Sequence, residues 1–351
     1  MPVSFSHAKG CASSHHDMNA SKKIINNPLK CADELLEGLV EAYDGKASKV
    51  GDRSIVMNDL PDGKVALLVG GGSGHEPIYH GLVGKNMADG AACGDIFAAP
   101  PPNIVLKATQ AVNRGKGVLY LYGNYAGDVM NFDMGAELAE EEGIEVRTVL
   151  IWDDVASAPA NEKHKRRGIA GLVPIVKLAG AASTVATSLD ELERMTIKAR
   201  DNTRSVGVST LAGSIPATGA PTFELDDDKI GLGMGIHGEK GVANIPLCTA
   251  DELTKKLLDL IFADDLAFEP GSEVILLVNS LGSTTLMELL IVLRAVKPIL
   301  REKGIVVHET MVGPYVTCQE MAGLSISLTK LDDELKRLWD MPCSSVGFTK
   351  M

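Results

Sequence analysis

Short aliphatic runs that stop on Gly or Asn, separated by stretches with helical spacing, constrain this chain most. The runs are Val65–Val69 before Gly70, Gly117–Tyr122 before Gly123, Glu145–Ile151 before Trp152-Asp153-Asp154, Ser205–Thr210 before Leu211, Glu273–Val278 before Asn279-Ser280, and Ile305–Thr310 before Met311. Between them, Lys30–Ala42 places Leu35, Leu36, Leu39 and Val40 at helical spacing, and Val129–Glu142 does the same with an acidic outer face. Leu286–Lys303 follows a capping stretch, Gly282-Ser283-Thr284-Thr285, and stops at Gly304. Pro298 is expected to kink or split that helix, because proline removes a backbone donor. Strands alternating with helices predict an α/β fold, with mainly parallel or mixed sheets covered by helices.

The chain has 351 residues, enough for two domains at about 100–200 residues each. The polar segment Ala199–Arg204 after the charged helical stretch Ser188–Lys198 is the expected boundary. This gives a first α/β domain over 21–200, a second over 201–351, and a flexible N-terminal tail over 1–20. Within that tail, the adjacent His15 and His16 are read as polar tail rather than as metal ligands.

Charge and cysteine usage exclude several classes. With 34 Lys+Arg against 46 Asp+Glu, the chain carries a formal charge of −12, which argues against nucleic acid or an anionic membrane as partner. No apolar run approaches the roughly 18–20 residues of a membrane span. The six cysteines include no CxxC pair, so neither a zinc cage nor a disulfide framework is expected. Without an apolar signal segment in its first twenty residues, the expected location is the cytoplasm.

Glycine is frequent, at 36 residues, and its richest clusters follow the strand runs. Gly70-Gly71-Gly72-Ser73-Gly74-His75-Glu76-Pro77 reads as a turn whose consecutive glycines carry no Cβ atoms, which lets backbone N–H groups approach a small polar ligand closely. No Gly-Lys-Ser/Thr follows, so it is not a nucleotide P-loop, and His75 occupies the place where a hydrolase elbow needs Gly. In Gly123-Asn124-Tyr125-Ala126-Gly127-Asp128, the aspartate suits a helix N-cap or a general base, and spacing leaves both open. Gly233, Gly235 and Gly238 spell GxGxxG, but no helical pattern follows, which rejects a dinucleotide site. His237 between these glycines is either a satisfied core histidine or an imidazole open to a ligand.

No metal site is expected. Asp153-Asp154 reads as a turn, Asp226-Asp227-Asp228 as a solvated run, and His308-Glu309 lacks the second histidine of a zinc helix. Lys163–Arg167 (KHKRR) reads as a solvated basic face.

Three motifs in this order, GGGSGHEP, GNYAGDVMNF and GMGIHGEKG, resemble the substrate-binding subunit of dihydroxyacetone kinase. Supporting echoes are Gly94-Asp95-Ile96-Phe97, Arg166-Arg167-Gly168, Asn279-Ser280-Leu281-Gly282 and Gly323-Leu324-Ser325-Ile326-Ser327-Leu328, so the resemblance runs from about residue 20 to the C-terminus. It implies a two-domain α/β subunit, usually a homodimer. It further implies that His237 adds through a ring nitrogen to the ketone carbon, forming a covalent hemiaminal, and that glycerol, lacking a carbonyl, is refused. By the same resemblance, Asp128 is the base on the terminal hydroxyl, His75 hydrogen-bonds the substrate and assists proton movement, and the backbone around Gly72 contacts the substrate.

Phosphoryl transfer also needs a nucleotide and Mg²⁺. The resemblance places ATP or ADP with Mg²⁺ on a separate nucleotide-binding kinase subunit and none on this chain. That partner carries either exchangeable ATP or a bound ADP rephosphorylated by a phosphotransferase-system protein. The sequence departs from the family where Gly123 replaces a Lys, and where Ala98-Ala99-Pro100 replaces Thr-Ser-Pro. A larger ketose such as erythrulose is therefore one alternative substrate. A non-catalytic dihydroxyacetone-sensing paralogue is a second alternative, against which the presence of Asp128 argues.

Overall fold

The computed structural model describes residues 22–351, so the tail expected over 1–20 lies outside the described residues. After α1 (Cys31–Ala42) come β1 (Ala47–Val50), β2 (Ser54–Met57), β3 (Ala66–Ser73), the short β4 (Gly84–Lys85), β5 (Gly90–Ile96), α2 (Pro102–Val112), β6 (Val118–Gly123), α3 (Ala126–Glu141) and β7 (Val146–Ile151). Two helices, α4 (Leu172–Val185) and α5 (Leu189–Asp201), lead into the second sheet. The first sheet has the order β1-β2-β5-β3-β6-β7, antiparallel at β1/β2 and β2/β5 and parallel from β5 through β7.

The second half contains β8 (Thr203–Leu211), β9 (Lys229–Leu232), β10 (Ala243–Pro246), α6 (Ala250–Phe262), β11 (Glu273–Ser280), α7 (Leu286–Glu302), β12 (Val306–Gly313), β13 (Ala322–Leu331) and α8 (Asp333–Asp340). Its sheet runs β10-β9-β8-β13-β11-β12 and is antiparallel except between β11 and β12. The chain ends in β14 (Cys343–Ser345) and β15 (Thr349–Lys350), which return to the first half, where Ser344 pairs with Lys85 of β4. The α/β class read from the sequence holds, with a largely parallel first sheet and a largely antiparallel second.

Burial explains both sheets. In β3 every residue is buried, the pattern of a parallel strand covered on both faces. In β11 the side chains alternate: Ile275 and Leu277 join the core shared with β3, β6 and α4, whereas Val274, Leu276 and Val278 face α6 and α7. Leu172–Ser183 of α4 are all buried, so this helix lacks the amphipathic stripe by which a surface helix is read from sequence.

Two local expectations are corrected. Helix α7 continues through Pro298 unsplit. The proline is exposed, so the carbonyl it leaves unpaired faces water. The glycine run is not a turn from Gly70 onward but the end of β3. A Cβ on Gly70 would stand 2.1 Å from the Ala92 carbonyl oxygen, and one on Gly71 would stand 2.4 Å from the Tyr79 ring. Close packing therefore demands these two glycines.

The first sheet fixes where a ligand can sit. From β3 the chain passes to β5 on one side and then crosses to β6 on the other. In sheets of this kind a ligand sits in the crevice at such a reversal, here beyond the carboxyl ends of β3 and β6.

Candidate functional site

His75 lies just beyond β3, Asp128 at the third residue of α3 beyond β6, and His237 in the loop that joins β9 to β10. The structure brings His75 and His237 together edge to face, with ring centroids 4.6 Å apart. Phe97 lies 5.0 Å from the His75 ring and 5.7 Å from that of His237, and Tyr125 meets His237 at 4.8 Å. Two imidazoles and two aromatic rings thus wall the crevice.

Each polar group has a distinct setting. His75 is buried, and its Nδ1 lies 2.6 Å from the Thr317 carbonyl oxygen. A carbonyl only accepts, so Nδ1 carries the proton and Nε2 is a bare acceptor. That Nε2 is buried without a partner among the described residues. Burial, followed by the nearby His237 charge, pushes the His75 pKa down to about 3, so the ring is neutral at physiological pH.

Asp128 is not the N-cap of α3; that place belongs to Tyr125, whose side chain makes no capping bond. The aspartate is 8% exposed, and its Oδ1 has no partner among the described residues. Burial raises its pKa to about 6, against the opposing pull of His237. A carboxylate with one free oxygen at a helix N-terminus is poised to take a proton from a hydroxyl.

His237 sits in a turn closed by the Gly238 N–H to the Gly235 oxygen, with Gly238 at φ +78°. Glu239 binds it twice: Oε2 accepts from the His237 backbone N–H at 2.9 Å, and Oε1 lies 2.7 Å from Nδ1. Burial alone would raise the Glu239 carboxyl, but the hydrogen bond and charge of His237 override it and leave a value of about 2.

The glycine segment supplies room rather than side chains. A Cβ on Gly72 would stand 2.9 Å from the Ala98 nitrogen, and one on Gly74 (φ +103°) would stand 2.8 Å from the Phe97 ring. Ser73 is buried and donates to the Gly94 carbonyl at 2.8 Å, which commits its hydroxyl to β5. The second half closes over this segment through Gln319 N–H to Gly74 O at 3.0 Å and Thr317 N–H to His75 O at 3.3 Å.

The basic run is not the solvated face expected. His164 and Lys165 are exposed, but Arg166 is buried, with its Nε 2.7 Å from Ala158 O and its Nη1 and Nη2 3.0 and 2.5 Å from the Asp264 carboxylate. Arg167 bonds Asp154 Oδ2 at 2.9 Å and Gly233 O at 2.7 Å, which anchors the loop that carries His237. Asp153 accepts from the N–H groups of Ile169 and Gly171, both at 2.9 Å. Asp226, Asp227 and Asp228 are exposed. Among the described residues, no group of three His, Cys, Asp or Glu side chains converges as metal ligands, and no helix is long and apolar enough to cross a membrane.

Sequence reasoning assigned no role to Glu239, Phe97, Tyr125 or Thr317. Glu239 had a readable signal, a carboxylate two residues after a histidine inside a glycine turn. Phe97 and Thr317 reach the site only through tertiary packing.

Fold and crevice together define an α/β protein with two histidines and a buried carboxylate at the point where strand order reverses. Residues 37–347 match the Dak1 domain, and the chain belongs to the Dak1 family. It is 41% identical over 331 residues to the dihydroxyacetone-binding subunit of PTS-dependent dihydroxyacetone kinase 2 from Listeria innocua, covering 93% of this chain and 99% of that one. Among solved structures, it is similar to the dihydroxyacetone kinase of C. freundii, with TM-score 0.85 and 28% identity over 94% of this chain and 60% of that one. It is also similar to the dihydroxyacetone kinase operon co-activator Dha-DhaQ, with TM-score 0.83 and 30% identity over 90% and 97%.

Proposed function

We propose that this chain is the substrate-binding subunit of a dihydroxyacetone kinase. One observation carries the reading: two imidazoles meet edge to face, one of them neutral with a bare acceptor nitrogen, and a buried carboxylate lies close enough to feel the charge of His237, as capture and phosphorylation of a hydroxyketone require. A His237 ring nitrogen adds to the ketone carbon, and the carbinol so formed is held as a hemiaminal. His75 Nε2 accepts a hydrogen bond from a substrate hydroxyl, and the backbone at Gly72 and Gly74 lines the approach. Asp128 takes the proton of the terminal hydroxyl as that oxygen attacks the phosphoryl group.

The same proposal places ATP or ADP with Mg²⁺ on a separate nucleotide-binding subunit, which brings the phosphoryl group to the crevice. It takes the chain as a cytoplasmic homodimer, with 21–200 and 201–351 as its two domains. Dihydroxyacetone is placed ahead of erythrulose, because the space a side chain at Gly123 would take is already occupied. A Cβ there would lie 3.1 Å from the Tyr125 ring and 3.4 Å from the Tyr79 hydroxyl. The buried Asp128 favours a kinase over a sensor, which needs capture but no base.

Native mass spectrometry of the wild type and His237→Ala with dihydroxyacetone, erythrulose and glycerol tests the reading. A retained adduct with dihydroxyacetone, absent with glycerol and in the variant, is the expected result. No adduct with either ketose would overturn ketone capture. Turnover on adding a nucleotide-binding subunit separates kinase from sensor.

A further inference from the structure

Glu239 uses both of its oxygens on a single residue. Oε2 takes the His237 backbone N–H at 2.9 Å and Oε1 faces Nδ1 of the same ring at 2.7 Å. An amide in this place could accept from the backbone N–H but would donate its own N–H to Nδ1, which places the ring proton on Nε2; a carboxylate does the opposite. An ionised carboxylate has no proton to give, so Nδ1 must carry the proton of the shared bond. A neutral imidazole then keeps its lone pair on Nε2, for which the described residues offer no hydrogen-bond partner.

The local fold is shaped around this contact. A Cβ on Gly235 would fall 2.0 Å from Glu239 Oε2 and 2.8 Å from Arg167 Nη1. Arg167, itself tied to Asp154 and the Gly233 carbonyl, fixes the other side of the turn.

We propose that Glu239 is the positioning residue of ketone capture: it fixes His237 as the Nδ1–H tautomer, so that Nε2 is the nucleophile, and its negative charge stabilises the ring as that ring becomes cationic. The proposal rests on the ketone-capture reading and names the group that makes the imidazole reactive. In the step itself, the Nε2 lone pair forms the C–N bond and the carbonyl π pair moves to oxygen. That oxygen takes one proton from solvent. The ring, now bearing the positive charge, stays bonded through Nδ1–H to the ionised Glu239, which itself gains no proton.

Nitrogen-15 NMR of histidine-labelled protein tests the assignment without substrate, with the His237 signals identified by their loss in His237→Gln. Recorded at alkaline pH, where the imidazole carries one proton, the expected spectrum shows that proton on Nδ1 and a bare Nε2. A singly protonated ring with its proton on Nε2 overturns the proposal whatever dihydroxyacetone does. Adduct formation in Glu239→Gln, followed by native mass spectrometry, is expected to slow by about 10–100-fold, as for other partners that orient a reactive imidazole. Glu239→Asp, which retains the carboxylate, is expected to recover part of that loss. An unchanged rate in Glu239→Gln overturns the charge role. A bare Nε2 with no adduct in the wild type instead refutes ketone capture and leaves the tautomer assignment standing, so the two failures are distinguishable.

Discussion

His75 and His237 meet edge to face at 4.6 Å, with an interplanar angle of 81°, although one follows β3 of the first sheet and the other follows β9 of the second. Burial, and then the charge that a protonated His237 would place beside it, oppose a charge on His75, so His75 stays neutral and acts only as an acceptor at Nε2. The two rings therefore divide the work between them. His237, held by a carboxylate, forms the bond, and His75, held by a carbonyl, orients a hydroxyl.

Asp128→Asn separates capture from transfer. The amide keeps shape but cannot take a proton, so the ketone adduct is expected to persist while turnover with a nucleotide-binding subunit falls by about 10²–10⁴-fold. In the wild type the carboxyl, raised by burial to about 6, must be ionised to act as a base. Turnover is thus expected to fall about tenfold per pH unit below about pH 6, with adduct formation measured in parallel by mass spectrometry. An adduct lost together with turnover in the asparagine variant would give Asp128 a binding role instead.

Much of this site was legible in the sequence because strand ends and glycine turns are local features. The runs before Gly70 and Gly123 marked β3 and β6, and the residues that follow them do reach one crevice. What spacing could not decide was geometry. It left Asp128 open as an N-cap, and the cap proved to be Tyr125. The KHKRR run was misread because Asp264, which neutralises Arg166, is distant in sequence and meets it only in the fold. Helix α4 left no periodic trace, being buried all round.

Asp264 holds two buried guanidiniums, those of Arg166 and Arg204. Asp264→Ala leaves the buried Arg166 without a carboxylate and Arg204 with only the part-exposed Asp265, so a loss of about 3–5 kcal/mol is expected in urea unfolding. Asp265 also pairs with Arg204, at 2.7 Å, but its side chain is 36% exposed. Asp265→Ala is therefore expected to cost no more than about 1 kcal/mol. Equal losses in the two variants would mean that burial does not set the strength of this network.

His80 is buried, and neither ring nitrogen has a partner among the described residues. Burial, and then the charge of Arg53, lower its pKa from 6.5 to about 4. The unfolded chain therefore binds the extra proton first, and the stability contributed by neutral His80 is lost as pH falls from about 6.5 towards 4. Asp128 and Asp154, each raised to about 6 chiefly by burial, act with the opposite sign, because the folded chain protonates them first. In His80→Leu, the drop in unfolding free energy between pH 7 and pH 5 is expected to be smaller than in the wild type by about 2 kcal/mol. An unchanged difference between the two pH values would show that His80 titrates freely in the folded protein.

Two glycine-to-alanine changes should part in opposite directions. Gly38 lies exposed within α1, and nothing stands within 4 Å of the place a methyl carbon would take, so Gly38→Ala gains helix propensity and is expected to stabilise by about 0.5–1 kcal/mol. At Gly235 the added carbon would fall 2.0 Å from Glu239 Oε2, and its backbone φ lies outside the left-handed region. The strain therefore falls on the side chains of Glu239, which must leave His237, and of Arg167, 2.8 Å from the added carbon, and not on the main chain. Gly235→Ala is expected to lose ketone adduct by about 10–100-fold, the effect of removing the partner of a reactive imidazole. Its thermal unfolding should stay close to the wild type, because Glu239 can turn towards solvent. A variant that unfolds before it loses the adduct would place Gly235 in the packing of the loop, whereas full adduct formation would show that Glu239 is not needed where it sits.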